Sequence, residues 1–234
     1  KEGLFMKKKI LITLAVLVII VVGIIAFFVV SDIQQEKKFN DEMLALENMM
    51  NTDELDFEAI YEKTDLIVTK GDYGIIEKAI KSYIKDTALV AEKIIDAMNS
   101  EEFGTIISIE NFEEDGKEFT ESKEFIKTTR ENLEQYKEEY GNQFDEEKIM
   151  SYINDKNLDE YYVDLYKNEV LTVSQEDNQT VQDSIDQVID LLDKMEDAID
   201  YLIENKDDWN VIDGSLMFLD QDKLDEYQDI LSRI

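Results

Sequence analysis

Cysteine, histidine and proline are all absent from this chain, and only eight glycines punctuate its 234 residues. Without cysteine there is no disulfide and no thiolate chemistry, so stability must come from an apolar core. Without histidine the chain lacks the side chain that changes charge near neutral pH and the commonest transition-metal ligand. Proline breaks helices and makes up ~5% of average sequences, so its absence suits a chain of long helices. No glycine-rich phosphate loop is present, and there is one tryptophan.

Basic residues are also scarce. The chain has 24 Lys and Arg against 56 Asp and Glu, a formal charge of −32. Setting aside Lys1, Glu2, Lys7, Lys8 and Lys9, the part from Asp32 onward has 20 basic and 55 acidic residues, or −35. Such a surface excludes nucleic acid as a partner, because that affinity comes from lysine and arginine displacing counterions. It is repelled by anionic lipid headgroups and favours cations, basic partners and solubility. The commonest reason for so many acids is solvation of helix faces.

Against this polar background stands one long apolar run. Ile10 to Val30 is 21 residues without a charge, preceded directly by Lys7, Lys8 and Lys9. At ~1.5 Å per residue it matches a bilayer core of ~30 Å. The flanking lysines predict a cytoplasmic amino terminus. The run is longer than a signal-peptide core of roughly 7–15 residues. Its nearest small-x-small cleavage candidate, Val29-Val30-Ser31, carries a large valine, although cleavage stays the alternative. The expected division is a tail over 1–9, a membrane helix over 10–30, a juxtamembrane helix over 31–50 continuous with the span, and an extracytoplasmic acidic helical domain over 51–234. This layout resembles that of envelope proteins of Gram-positive bacteria, with no specific motif behind the resemblance and no functional residue transferred by it.

The outer part repeats a helical pattern. Phe39, Met43, Leu46 and Met50 step by 4, 3 and 4, as do Ile76, Ile80, Tyr83, Thr87, Val90, Ile94 and Ala97 in alternation. The same spacing runs through Ser122, Ile126, Thr129, Leu133, Tyr136 and Tyr140, and through Val181, Ile185, Val188, Leu192, Met195, Ile199 and Leu202. Each set occupies one helix face, as in a coiled coil or antiparallel bundle. Leu191, Ile189, Ile203, Ile84 and Ile95 broaden two of these stripes, which predicts packing against two neighbours. The expected fold is an all-α bundle of four or more helices.

Breaks are predicted at Asn51-Thr52-Asp53, at Gly71 and Gly74 before a helix over 75–98, and between Asn99 and Gly116, where Ser108 can cap a short turn. Gly141-Asn142 is expected to close the helix over 120–140, glycine being the usual left-handed stop. Short helices are predicted over 145–154 and 158–170. Asn178-Gln179-Thr180, which also matches a glycosylation sequon, is read as the start of a helix over 181–205. Near the carboxyl end Trp209 to Phe218 reads as a small β-hairpin, because Asp213-Gly214 is a favoured two-residue turn. Asp220 and Asp222 are positioned to cap a final helix. No second domain is apparent.

Three groups of residues are candidates for chemistry or binding. Asp208, Asn210 and Asp213 partly follow the spacing of a calcium loop, but Ile212 and Leu219 stand where oxygen ligands are needed. Tyr161, Tyr162 and Tyr166 cluster on one short helix and could form an interaction surface, since tyrosine joins an apolar ring to a polar tip. Paired carboxylates are too numerous to single out a glycosidase pair. No residue is assigned a catalytic role, and no cofactor is expected. The function expected is a non-catalytic protein-interaction or structural module of the cell envelope that binds an envelope protein or itself. The alternatives are a divalent-cation or basic-ligand binding module and, last, a carboxylate-based hydrolase.

Overall fold

Strong helix formers uninterrupted by proline give a chain dominated by helix. A computed structural model describes residues 33–52 and 55–234, which hold nine α-helices and one two-stranded ribbon. The apolar run Ile10–Val30, with the membrane helix, tail and cleavage site read from it, lies outside the described residues. No helix among the described residues is long and apolar enough to cross a membrane. In chain order the elements are α1 (Ile33–Met50), α2 (Phe57–Asp65), α3 (Asp72–Met98), α4 (Glu101–Thr105), α5 (Ile109–Glu114) and α6 (Thr120–Asn142). They continue with α7 (Glu146–Ser151), α8 (Glu160–Glu204), β1 (Trp209–Ile212), β2 (Ser215–Phe218) and α9 (Gln221–Leu231). The all-α bundle with a single hairpin near the carboxyl end is the fold observed.

The predicted stripes are the buried faces. Phe39, Met43, Leu46 and Met50 are all buried, as are Ile76, Ile80, Tyr83, Thr87, Val90 and Ile94. All seven positions from Val181 to Leu202 are buried as well. Packing gathers the described residues into two compact units, each assembled from separate stretches of chain.

The first unit contains 33–95 and Tyr136–Ser184. Its core joins Phe39, Met43 and Leu46 of α1 to Ile76, Ile80, Tyr83 and Ile84 of α3, with Ile149, Ile153, Tyr166 and Val170 from further along. Helices α1 and α3 run side by side in the same direction. The Lys70 amide donates to Gln35 Oε1 at 3.0 Å, the Phe39 and Tyr73 rings lie 6.2 Å apart, and Lys81 reaches Glu42 at 2.6 Å.

The second unit contains Asp96–Gln135 and Ile185–Ile234. Here the antiparallel ribbon pairs Trp209 with Phe218 and Ile212 with Ser215. Asp213 and Gly214 hold φ of 51° and 69°, as the turn requires. A ribbon this small is marginal alone, so it must dock. Trp209 is the anchor. It is 1% exposed, donates its indole N–H to the Leu202 carbonyl at 2.7 Å, and packs on Phe112 and Phe119 at 6.4 and 6.0 Å. Asp220 caps α9 by accepting from the Asp222 amide.

Four boundaries differ from expectation. Helix α2 starts beyond the break read at Asn51-Thr52-Asp53, capped by Asp56, which accepts from the Ala59 amide at 2.9 Å. Helix α3 begins at Asp72, so Gly74 lies within its first turn. Gly141-Asn142 does close α6, but Gly141 is itself helical rather than left-handed. A β-carbon there would come within 2.8 Å of the Gln182 amide nitrogen, so the end of that side chain lies against the glycine. Finally, 158–170 and 181–205 belong to one helix, α8, of 45 residues. No glycine or proline occurs between 158 and 206 to interrupt it. Asn178 therefore caps nothing, and its side-chain oxygen accepts from Gln182 one turn on.

Candidate functional site: a buried charge cluster beneath an apolar strip

Helix α2 ends where Leu66 turns extended, with φ −91° and ψ 122°. The chain then runs as an open strip through Leu66, Ile67, Val68, Thr69 and Lys70 before α3 begins. An extended strip leaves its backbone groups without helix partners, and they must be satisfied from elsewhere. Two side chains of α3 do this. Glu77 and Lys81 are both completely buried, one helical turn apart and 2.8 Å from each other.

Glu77 acts as the acceptor for the strip. Its Oε2 takes the Thr69 amide at 2.8 Å and the Thr69 hydroxyl at 2.6 Å, and its carboxylate takes the Val68 amide at 3.1 Å. Lys81 acts as the donor. Its ammonium gives to Glu77 Oε1 at 2.8 Å, to Glu42 Oε1 at 2.6 Å and to the Leu66 carbonyl at 2.5 Å. That uses all three of its N–H donors. The other Glu42 oxygen accepts from Lys63 of α2 at 2.7 Å. Two acids and two lysines thus form a neutral cluster joining α1, α2, α3 and the strip.

Burial pushes the Glu77 carboxyl up. The hydrogen bonds from Lys81, from the Thr69 hydroxyl and from the Val68 and Thr69 amides outweigh it and hold the group below the ordinary value. A carboxylate stabilised this way is a fixed anion, poorly suited to shuttling protons at neutral pH. Gly74 completes the fit. A β-carbon there would sit 3.0 Å from the Thr69 carbonyl oxygen, so any larger residue requires the strip to draw back from α3 by a few tenths of an ångström. At the flanks Tyr61 donates to Glu92 at 2.6 Å and Lys85 to Asp65 at 2.7 Å, pinning α2 along α3.

The polar backbone of the strip faces buried partners, yet its apolar side chains are left in solvent. Leu66 is 60% exposed, Ile67 40% and Val68 41%. Three consecutive exposed aliphatic residues held in one conformation are unusual, because scattered single ones are the norm.

The three tyrosines singled out by sequence divide. Tyr161 is half exposed, while Tyr162 is half-buried with its ring 5.8 Å from Tyr73. Tyr166 is fully buried and donates to the Ile149 carbonyl at 3.2 Å. Of the three, Tyr161 is the exposed one. The nearby Tyr152 donates to Asp86 at 2.6 Å, and burial together with that carboxylate pushes its phenol up.

Each calcium candidate has a role of its own in the structure. Asp208 is paired with Lys223, and Asn210 accepts from Lys117 at 3.0 Å. Asp213 occupies the hairpin turn. Lys117 also gives to the Lys206 and Trp209 carbonyls at 2.6 Å each and lies 4.8 Å from the Trp209 ring centre. Among the described residues no group of three or more acids is arranged to hold a metal ion.

Comparison adds no relatives. No protein-family model matches the chain, and neither the curated proteins nor the solved structures give a match.

The sequence reasoning missed the Glu77–Lys81 cluster, although a signal for it exists. Ile84 was noted as broadening the α3 stripe. Extended in both directions that line reads Glu77, Lys81, Ile84 and Ala88, stepping 4, 3 and 4, and all four are buried. Two charges in register with a buried apolar line announce a buried pair.

Proposed function

We propose that this chain is a non-catalytic interaction module, held at a membrane by Ile10–Val30 and displaying its acidic helical units on the extracytoplasmic side. The buried cluster of Glu42, Lys63, Glu77 and Lys81 carries this reading. In a site of chemistry a buried acid or lysine keeps a proton or a lone pair available. Here the buried ammonium has all its protons engaged, and the buried carboxylate is held as an anion by four donors. The cluster serves to fix a surface in place, and fixing a surface is what recognition needs.

The acidic exterior selects partners that are basic or neutral. Leu44 at 54% and Met217 at 52% exposure are apolar points on α1 and β2 from which contact can be detected. A photo-crosslinking residue at Leu44, Met217 or Tyr161 in intact cells should capture one reproducible envelope protein, or a second copy of this chain. If every position yields only uncrosslinked monomer, the module reading falls.

A further inference from the structure

The first turns of three helices lie together at one end of the unit that holds the charge cluster. Gln35 of α1 accepts from the Lys70 amide just before α3, and Tyr73 of α3 packs on Tyr162 of α8. This end differs from the rest of the surface in two ways.

The first difference is charge. Lys37, Lys38 and Lys70 are all exposed here, and no carboxylate among the described residues pairs with any of them. With Lys156, which leads towards α8, they make four cations against the five acids Glu36, Asp72, Asp155, Asp159 and Glu160, so this end carries far less net negative charge than the rest. The part of the chain beyond Val30 as a whole is strongly acidic. The second difference is apolar exposure. The strip Leu66-Ile67-Val68 runs down α3 towards this end, since Leu66 is held by Lys81, Val68 by Glu77 and Lys70 by Gln35. Half-exposed Tyr161 adds an aromatic ring.

The position of this end along the chain identifies its occupant. Val30 closes the apolar run and Gln35 is five residues later. Five residues reach at most ~17 Å fully extended and ~7.5 Å as a helix. A headgroup region brings a bilayer from ~30 Å to ~40–45 Å, so it is several ångströms deep on each side. Lysine pairs with lipid phosphate, and tyrosine is enriched at the membrane–water interface.

We propose that this end of the unit is seated on the bilayer, with Val68, Ile67 and Tyr161 in the headgroup layer and Lys37, Lys38 and Lys70 among the lipid phosphates. The seating rests on the membrane-anchored reading above. It reverses, for this one end, the repulsion from anionic lipid that the total charge predicts. The buried cluster then acquires a purpose, because it holds the apolar strip rigid where the strip meets lipid.

The absence of cysteine makes the test direct. Single substitutions Val68→Cys, Tyr161→Cys, Leu89→Cys and Ile20→Cys in the full chain each carry one environment-sensitive fluorophore. The labelled chains are reconstituted in vesicles of phosphatidylcholine with phosphatidylglycerol, some containing lipids with a quencher at shallow or deep positions. Leu89 is the control, being 41% exposed like Val68 but far along α3. Shallow quenching several-fold stronger at 68 and 161 than at 89 supports the seating. Equal quenching at 68, 161 and 89 overturns it. The label at 20 tests the anchor separately. Deep quenching there with none at 68 or 161 keeps the anchor and removes the seating. Quenching at 68 and 161 with none at 20 keeps the seating and removes the anchor. No quenching at any position removes both.

Discussion

Lys81 is the residue on which most depends, because its single buried charge bridges two carboxylates, Glu77 and Glu42, the second of which it shares with Lys63. Removing one member of a buried ion pair leaves an uncompensated charge, at a cost of ~3–5 kcal/mol. Lys81→Met should therefore lower the unfolding free energy by that amount in urea titrations. Adding Glu77→Gln should restore part of the loss, because the amide oxygen still accepts from Thr69 while the stranded charge is gone. Additive effects in the double variant would show that the two groups do not interact. Glu77 also sets a pH dependence. Its folded carboxyl lies below the ordinary value of 4.5, so the unfolded chain binds the proton first as the pH falls. The stabilisation is complete above that ordinary value and disappears as the pH drops through the lower folded one. Glu77→Gln should flatten this limb, so that wild type and variant converge in stability in acid. A constant difference from neutral to strongly acidic pH would contradict the assignment. Periodicity carried the apolar members of the cluster's line but concealed the charged ones, because glutamate and lysine in a helix are usually solvated.

At the scale of elements, α8 is the clearest test. Two helices meeting at Asn178-Gln179-Thr180 would accept proline at position 180, where a first-turn residue has no amide partner to lose. Within a continuous helix the same substitution removes a hydrogen bond and clashes with the preceding turn, at ~3 kcal/mol or more. Thr180→Pro should accordingly destabilise the protein by about that amount, read from thermal unfolding followed by circular dichroism. An unchanged midpoint would restore the two-helix reading. The hairpin, the Ser108 cap and the Asp220 cap were all legible in sequence, because each uses a local signal whose geometry is complete within a few residues. The stop at Gly141-Asn142 lies where the sequence places it, but the left-handed glycine expected there is absent. Gly141 instead lies against Gln182, which is distant in sequence and invisible to local rules. The end of α2 and the strip after it are similar cases. Leu66-Ile67-Val68 looks like any short apolar run until Glu77 and Lys81 are seen beneath it.

For the whole molecule the dominant quantity is a charge of −32. Like charges on a compact surface repel, and salt screens them with a Debye length of ~10 Å at 0.1 M. Raising sodium chloride should raise the melting midpoint. Millimolar calcium should raise it no further than magnesium at equal concentration, since Lys223 and Lys117 already pair with Asp208 and Asn210. A saturable shift specific to calcium would instead establish a site. The division into two units was not legible, because each unit is built from segments far apart in the sequence and no linker marks a boundary. One consequence follows for spectroscopy. The lone tryptophan is buried at the foot of the hairpin, in the unit made from Asp96–Gln135 and Ile185–Ile234. Indole emission from this chain is therefore a local gauge, blind to the unit that holds the charge cluster. Melting curves read by fluorescence and by far-ultraviolet ellipticity coincide only if both units come apart together.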